Sequence, residues 1–263
     1  MKQEYICGIK DKVNVMKELI KNKIIEYVKG YPELKNVKNI WREPVVGFAD
    51  AKGTYIKSLK TVVSAEHKQP EDFMENPSIV ISYFIPFTQE LAAINMNVEG
   101  NMAAQEWADA YHLTNTMIAD ISQYVADFLT EMGYRAVPPT DVVFNREQIL
   151  SNWSQRHIAY AAGVGTFGIN NMLISEKGCC GRYGSAIANI PVEPDKVIEE
   201  ERCLYKRNGS CKKCVQNCFS GALSTEGFDR KKCFEICLLN DAKTGQEVCG
   251  KCDIDIPCAF KAP

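Results

Sequence analysis

Hydrophobic residues recur at helical spacing in two long stretches of the chain, and each stretch predicts an amphipathic helix. The first stretch carries Val13, Met16, Leu19, Ile20, Ile24, Tyr27 and Val28. Gly30 and Pro32 follow it and predict its end. The second stretch, about residues 103–132, carries Trp107, Tyr111, Thr114, Met117, Ile118, Ile121, Val125, Phe128, Leu129 and Met132. A third, shorter helix is predicted at about residues 146–162.

Runs rich in β-branched and aromatic residues predict the strands of a sheet. The strongest run covers residues 78–85, and Pro86 closes it. Weaker runs lie at residues 44–49, 134–137, 172–175 and 183–190. Because helices and strands are interspersed over this part of the chain, we predict a layered mixed α/β arrangement.

Charge and hydropathy exclude several classes of protein. The formal net charge is −2, so no general polyanion-binding character is expected. The sequence begins with charged residues where a signal peptide has its apolar core. The longest strongly apolar run, residues 79–87, is far shorter than the roughly 20 residues of a membrane span. We therefore expect a soluble cytoplasmic protein without membrane association, in which clustered cysteines indicate metal or redox chemistry.

The segment 203–263, called the cysteine-rich tail below, contains nine of the 12 cysteines. One run is Cys203, Cys211, Cys214 and Cys218, and the other is Cys233, Cys237, Cys249, Cys252 and Cys258. The remaining cysteines are Cys7, Cys179 and Cys180, of which the adjacent pair could be structural or functional. This density predicts two domains, residues 1–195 and 196–263, joined near Pro191–Pro194. The second domain is too short for a large core, so bound metal is expected to stabilise it.

The spacing within the tail is typical of bacterial two-cluster ferredoxins, which use C-x2-C-x2-C-x3-C-P and exchange the fourth Cys between clusters. Cys211, Cys214 and Cys218 reproduce the last three positions, whereas Asn208 stands at the first and Cys203 is its nearest replacement. The exchange rule predicts two 4Fe–4S clusters. One would bind Cys203, Cys211, Cys214 and Cys258, and the other Cys218, Cys233, Cys249 and Cys252.

Three alternatives remain open for these cysteines, one of which is a single cluster with spare cysteines. Cys237 is left over, and it could exchange with Cys233 because a spacing of four residues puts both on one helix face. Two structural zinc ions could also use the same eight thiolates.

The stretch Arg156–Ile174, RHIAYAAGVGTFGINNMLI, precedes the tail, and the runs at residues 78–87 and 134–138 precede both. In this order the features resemble the epoxyqueuosine reductase family, which is related to reductive dehalogenases. The resemblance implies an α+β protein, with a nitroreductase-like layered α/β domain followed by a two-cluster bacterial ferredoxin-like domain. It also implies base-off cobalamin in the first domain, supplied with electrons through the clusters.

The resemblance and the residues around the glycine-rich loop give candidate site residues in the first domain. The glycine-rich loop is expected to contact the cofactor through Gly163, Gly165, Thr166, Phe167, Gly168 and Asn170. Arg182 and Tyr183 are further candidates for cofactor contact, although the sequence favours an exposed basic residue for Arg182. His157 is the candidate catalytic proton donor, for which a pKa near neutrality would be suitable, and its alternative role is a hydrogen-bonded helix histidine.

The chain departs from the family pattern in two further places. The family carries an acidic residue about 14 positions before the first loop glycine, whereas Ile149 stands there. Longer family members have a C-terminal domain that helps to hold transfer RNA, and this sequence ends before it. We therefore expect a shorter paralogue that reduces an unidentified substrate, with tRNA not expected as a partner.

Three functional hypotheses follow. The first is a cobalamin-dependent iron–sulfur reductase that receives electrons from a low-potential donor of the ferredoxin or flavodoxin type. Its acceptor would be a small molecule or a partner protein. The second is a non-catalytic electron-transfer protein that reduces a partner enzyme or its corrinoid. The third keeps the fold and places flavin in the first domain.

Overall fold

The computed structural model describes residues 2–98 and 102–263, with side chains described from residue 15 onward. The side chain of Cys7 therefore lies outside the described residues. The longer helices are α1 (Lys2–Lys35), α2 (Thr54–Val62), α3 (Gln89–Met96), α4 (Gln105–Glu131), α5 (Gln155–Ala161) and α8 (Arg230–Thr244). Two short helices are α6 (Leu204–Asn208) and α7 (Lys213–Asn217). The strands are β1 (Val45–Asp50), β2 (Ile79–Pro86), β3 (Arg135–Val137), β4 (Phe144–Asn145), β5 (Leu150–Ser151), β6 (Gly165–Phe167), β7 (Leu173–Ser175) and β8 (Gly181–Asn189).

A four-stranded antiparallel sheet with the order β1-β2-β8-β3 forms the centre of the molecule. All eight residues of β2 are buried, which explains why its sequence is apolar without alternation. Ile79, Ile81 and Ile85 pack with α1 and α4 on one face. Val80 and Phe84 pack with α2 and α5 on the other face. The predicted layered α+β arrangement is therefore present, with helices on both sides of the sheet.

Two predicted helix boundaries are wrong. Helix α1 continues past Gly30 and includes Pro32 in its last turns, where the fully buried Tyr31 packs edge-on against Trp41. The helix predicted at residues 146–162 begins only at Gln155, because the hairpin β4–β5 occupies the preceding residues. Asn152 holds this hairpin, since its side-chain oxygen accepts a hydrogen bond from the Val143 amide.

The residues between β8 and the tail are held against the first part of the chain. Asp195 accepts hydrogen bonds from Lys17 Nζ at 2.6 Å and from the Phe48 amide at 3.0 Å. Arg202 donates to the Ile174 carbonyl at 3.0 Å. The predicted linker is thus a hydrogen-bonded connection to the sheet.

The cysteine-rich tail docks on α3, on the start of α4 and on the turn before β8. The amide of the buried Asn95 donates to the Cys249 carbonyl at 2.9 Å, and Lys251 Nζ donates to the Asn95 carbonyl. At the other end of the tail, Arg42 donates to the Phe260 carbonyl at 3.0 Å. Among the described residues, none of the helices has the length and apolar character needed to cross a bilayer.

Candidate metal centres

A small cavity at the junction of the tail and the glycine-rich loop is lined by cysteines from both ends of the tail. It contains about 320 Å³ of unfilled space, part of it open to solvent. Its cysteines are Cys203, Cys211, Cys214 and Cys258. The first three come from the region of α6 and α7, whereas Cys258 comes from the last few residues of the chain.

A second, wider cavity contains about 970 Å³ of unfilled space, part of it open to solvent. It is lined by Cys218, Cys233, Cys237, Cys249 and Cys252. Helix α8 supplies Cys233 and Cys237 from adjacent turns, and Cys218 comes from the end of α7. The two cavities therefore separate the tail cysteines into the two exchanged sets that the spacing predicts, with Cys237 as a fifth thiol in the second set.

Burial and neighbouring thiols disfavour the ionisation of one cysteine in each set. Burial and the neighbouring Cys258 and Cys203 raise the pKa of Cys214 to about 12. In the second set, burial raises the pKa of Cys249 to about 11. A cavity lined by several cysteines has the donor chemistry of a thiolate-bound metal. Within the described parts of the chain, no three His, Cys, Asp or Glu side chains form a group that could hold a single metal ion.

Hydrogen bonds to sulfur are present in each set. The Leu223 amide donates to Cys218 Sγ at 3.3 Å. A hydrogen bond from Cys237 lowers the pKa of Cys233 to about 7, and Arg156 contributes in the same direction. A hydrogen bond from Cys179 likewise lowers the pKa of Cys258. Such bonds are one of the means by which a protein sets the reduction potential of an iron–sulfur cluster.

Cys179 and Cys180, whose role the sequence leaves open, are hydrogen-bonded to the loop that carries Cys258. Both are fully buried. The Cys179 amide donates to the Cys258 carbonyl at 2.9 Å, and the Cys180 amide donates to the Ala259 carbonyl at 3.0 Å. The pair therefore attaches the last loop of the tail to the turn between β7 and β8.

The glycine-rich loop adjoins the cluster cavities. Gly168 and Asn170 line the first cavity, and Asn170 also lines the second. The Asn170 side chain donates to the Cys252 carbonyl at 2.9 Å. The space that a Cβ would need at Gly163 is taken by the Lys196 carbonyl, and at Gly165 by the Ile174 carbonyl. Packing within the chain therefore requires glycine at both positions, and their predicted contact with the cofactor stays a prediction.

Three other predicted cofactor contacts line neither cavity. The Thr166 hydroxyl accepts from the Arg202 amide at 3.1 Å, which joins β6 to the connection into the tail. The Phe167 ring lies 4.8 Å from the His157 ring. Tyr183 is buried against Phe84, and its hydroxyl donates to the Leu173 carbonyl at 2.5 Å.

His157 lies on α5, and its Nδ1 shares a hydrogen bond of 2.7 Å with the Ser154 hydroxyl. Burial, with smaller contributions from Arg156 and His67, lowers the pKa of His157 to about 4. The imidazole is therefore uncharged at neutral pH. Its pKa lies below the neutral range that would suit a proton donor.

Arg182 does line the second cavity and is half-buried rather than exposed. Its guanidinium lies 4.0 Å above the Tyr111 ring, and its Nη2 donates to Asn115 Oδ1 at 3.0 Å. This placement fixes a positive charge in the lining that Arg182 shares with the cysteines of the tail.

Sequence reasoning missed several residues around the second cavity. Asp253 is only 7% exposed, and its Oδ1 has no hydrogen-bond partner among the described residues. Burial raises the pKa of Asp253 to about 7. Phe87 and Trp107 form an edge-on pair at 5.3 Å on the same wall as Arg182. Of these residues, Asp253 could have been found from the sequence, because it directly follows the predicted ligand Cys252.

No protein-family model matches the chain. An epoxyqueuosine reductase from Bacillus cereus is 30% identical over 137 residues, which are 51% of this chain and 32% of that protein. The solved epoxyqueuosine reductase from Bacillus subtilis aligns with 92% of this chain and 66% of its own at a TM-score of 0.54 and 17% identity. A reductive dehalogenase, whose structure suggests a mechanism for B12-dependent dehalogenation, aligns with 79% of this chain and 28% of its own at a TM-score of 0.51 and 17% identity.

These comparisons confirm the resemblance to epoxyqueuosine reductases. The chain spans about a third of the length of the curated relative from Bacillus cereus. At 17% identity, the two solved structures show a shared fold alone.

Proposed function

We propose that this chain is an iron–sulfur reductase that uses cobalamin, with a nitroreductase-like domain at residues 1–195 and a ferredoxin-like domain at residues 196–263. The observation that carries the proposal is the separation of the tail cysteines into two cavities as exchanged sets. The similarity to an epoxyqueuosine reductase supports the same conclusion. So does the fold shared with the reductive dehalogenase whose structure suggests a B12-dependent mechanism.

The first set would hold a 4Fe–4S cluster through Cys203, Cys211, Cys214 and Cys258, and the second through Cys218, Cys233, Cys249 and Cys252. Bound clusters would supply one-electron transfer, and bound cobalamin the reduction of the substrate. Asn170 lines both cavities and fixes the Cys252 loop through its amide, so it would hold the two centres close together. An outside donor of the ferredoxin or flavodoxin type would supply the electrons.

The open part of the second cavity is the best place for the large cofactor. The cavity extends past its cysteines to Phe87, Trp107 and Arg182 on the first domain. Phe219 and Phe228, at its other side, are 40% and 38% exposed. Large exposed aromatic side chains around an opening are expected where an apolar group binds. The glycine-rich loop, in contrast, contributes Gly168, Ile169 and Asn170 to the first cavity and, of these, Asn170 to the second.

The second candidate is an electron-transfer protein without a catalytic centre of its own. It is favoured by Ile149, which occupies the tight turn of the β4–β5 hairpin with a φ of 55° where the family has a carboxylate. Such a protein would carry the same clusters but would pass electrons to a partner's corrinoid.

Anaerobic purification with cobalamin supplied, followed by iron, cobalt, zinc and flavin analysis, separates these candidates. The proposal predicts about eight irons and one cobalt per chain. Iron without cobalt or flavin would favour the electron-transfer protein, and iron with flavin would favour a flavin reductase. Zinc in place of iron would overturn the cluster assignment. Ser210→Ala, beside a ligand, is the matched control for Cys211→Ser, which should lose about half of the iron.

A further inference from the structure

The loop that carries Cys249 and Cys252 also places Asp253 in the lining of the second cavity. Two side-chain hydrogen bonds hold this loop. The Asn95 side chain donates to the Cys249 carbonyl at 2.9 Å, and the Asn170 side chain donates to the Cys252 carbonyl at 2.9 Å. The loop is therefore positioned by contacts that do not involve the carboxyl group of Asp253.

The carboxyl group of Asp253 lacks a partner within the part of the chain that the structure describes. Asp253 is only 7% exposed, and its Oδ1 accepts no hydrogen bond from a described residue. Native proteins contain few such groups, because a buried acceptor without a donor is costly. A carboxyl group keeps acceptor capacity in either protonation state, so this need for a donor does not depend on its ionisation.

The cations that share the lining with Asp253 are bonded elsewhere. Lys251 Nζ donates to the Asn95 carbonyl, and Arg182 Nη2 donates to Asn115 Oδ1 at 3.0 Å. Within the described residues, neither cation forms an ion pair with Asp253 at 4.0 Å or less. The missing donor is therefore not supplied by a positive side chain of the cavity.

A cluster bound to the second set of cysteines would not supply the donor either. Iron and sulfide carry no hydrogen, and a thiolate that binds metal has lost its proton. The thiolates would instead place negative charge beside Asp253, which directly follows the predicted ligand Cys252. The donor therefore has to come from a molecule that occupies the rest of the cavity.

The rest of the second cavity suits a large, mainly apolar molecule. Phe87 and Trp107 form an edge-on pair in its lining, and the exposed rings of Phe219 and Phe228 also belong to it. Cobalamin, proposed above as its occupant, combines an apolar ring system with primary amide side chains. Each primary amide has N–H donors, and a carboxyl oxygen accepts hydrogen bonds from such groups.

We propose that Asp253 is a specificity-determining residue of the second cavity and accepts a hydrogen bond from one side-chain amide of cobalamin. The proposal rests on the proposed function for the identity of the ligand, and on Asp253 for the kind of group that is recognised. A corrinoid without this one donor is selected against, because its binding would leave the carboxyl group unpaired.

Corrinoids that differ in one side chain test the proposal. Replacement of a single side-chain amide of cobalamin by a methyl ester gives isomeric monoesters, which are neutral and lack an N–H donor at one position. Cobalamin and these monoesters are titrated into the cluster-loaded protein, and the visible spectrum of the corrin gives each Kd. One isomer should bind at least about tenfold more weakly than cobalamin, whereas the other isomers should bind like cobalamin.

Variants of Asp253 identify the residue that recognises this amide. Asp253→Asn has an N–H donor for the ester carbonyl, so it should bind the selected ester and cobalamin equally. Asp253→Ala should bind cobalamin about tenfold more weakly than the wild type does. The matched control is Asp255→Asn, since Asp255 is exposed and pairs with Lys213 at 3.3 Å. This control should keep the preference of the wild type.

Three results would overturn the proposal. The first is equal binding of cobalamin and all monoesters by the wild type, which needs no variant. The second is an undiminished preference in Asp253→Asn. The third is an unchanged affinity of Asp253→Ala for cobalamin, since water would then satisfy the carboxyl group. Iron content and EPR show whether the clusters of each variant are intact. A wild type that carries iron but binds no corrinoid would contradict the proposed function together with this contact.

Discussion

The two cavities use the same kind of thiol set but differ in everything around it. The first is small, and its lining is completed by the chain itself, including Gly168, Ile169 and Pro263. The second is about three times as large and adds aromatic rings, Arg182, Asp253 and a fifth cysteine. A small site suits a group that only passes electrons onward. A larger site with varied chemistry suits a group that meets another molecule, so we propose that the second cavity is the functional end of the pair.

Loss of a ligand from the first cavity should produce the largest effect. Cys203 is buried there and has no neighbouring spare cysteine in the lining. Cys203→Ser should therefore remove one cluster, with loss of about half of the iron and several kcal/mol of tail stability. Iron analysis and thermal unfolding measure both changes. An unchanged iron content would remove Cys203 from the ligand set.

The second cavity should tolerate the equivalent change. Cys237 lies one helical turn from Cys233 and lines the same cavity. Cys233→Ser should thus keep most of its iron with an altered EPR spectrum, whereas Cys233→Ser combined with Cys237→Ser should lose about half. If the single variant loses as much iron as the double variant, the two cavities are alike in this respect and Cys237 is not a replacement ligand.

His157 belongs to neither cavity, and its effect should be on stability. Its folded pKa of about 4 lies below the usual 6.5, so the unfolded chain binds more protons between these values. The contribution of His157 is present above pH 6.5 and is lost as the pH falls towards 4, at most about 3 kcal/mol. His157→Gln should flatten the fall in unfolding free energy over this window. An unchanged pH profile would contradict the shifted pKa.

The smallest predicted effect concerns the first cavity alone. Cys179 donates a hydrogen bond to Cys258, so Cys179→Ala should move the potential of the first cluster downward. Because the lost hydrogen bond is worth about 1 kcal/mol, the reduction potential should fall by an amount on the order of tens of millivolts. Cys179→Ser, which keeps a donor, should restore most of it. Equal potentials in both variants and the wild type would show that Cys179 only fills space.

Features carried by local spacing could be predicted from the sequence. The C-x2-C spacing and the exchange rule of two-cluster ferredoxins predict the grouping of the tail cysteines that line the two cavities, and metal binding by these sets stays a prediction. The run at residues 78–85 predicts a buried strand because apolar side chains on both faces need cover on both faces. Neither the cysteine spacing nor the apolar run depends on which distant segments of the chain are in contact.

Features that depend on distant contacts could not be predicted. Gly163 and Gly165 match the pattern of a ligand-binding loop, but their packing partners, Lys196 and Ile174, become visible only in the fold. The pKa of His157 depends on burial, which its helical position does not reveal. Arg182 lines the second cavity together with tail cysteines far from it in the sequence, and this placement becomes visible only in the fold.

Low-temperature EPR of the chemically reduced, cluster-loaded protein tests the central claim most directly. Because Asn170 lines both cavities, two reduced clusters would lie close enough to couple magnetically. We predict a spin-coupled spectrum in the wild type, and an uncoupled signal from one cluster in both Cys214→Ser and Cys252→Ser. A single uncoupled signal in the wild type, or loss of both clusters in only one of the variants, would contradict two exchanged cluster sites.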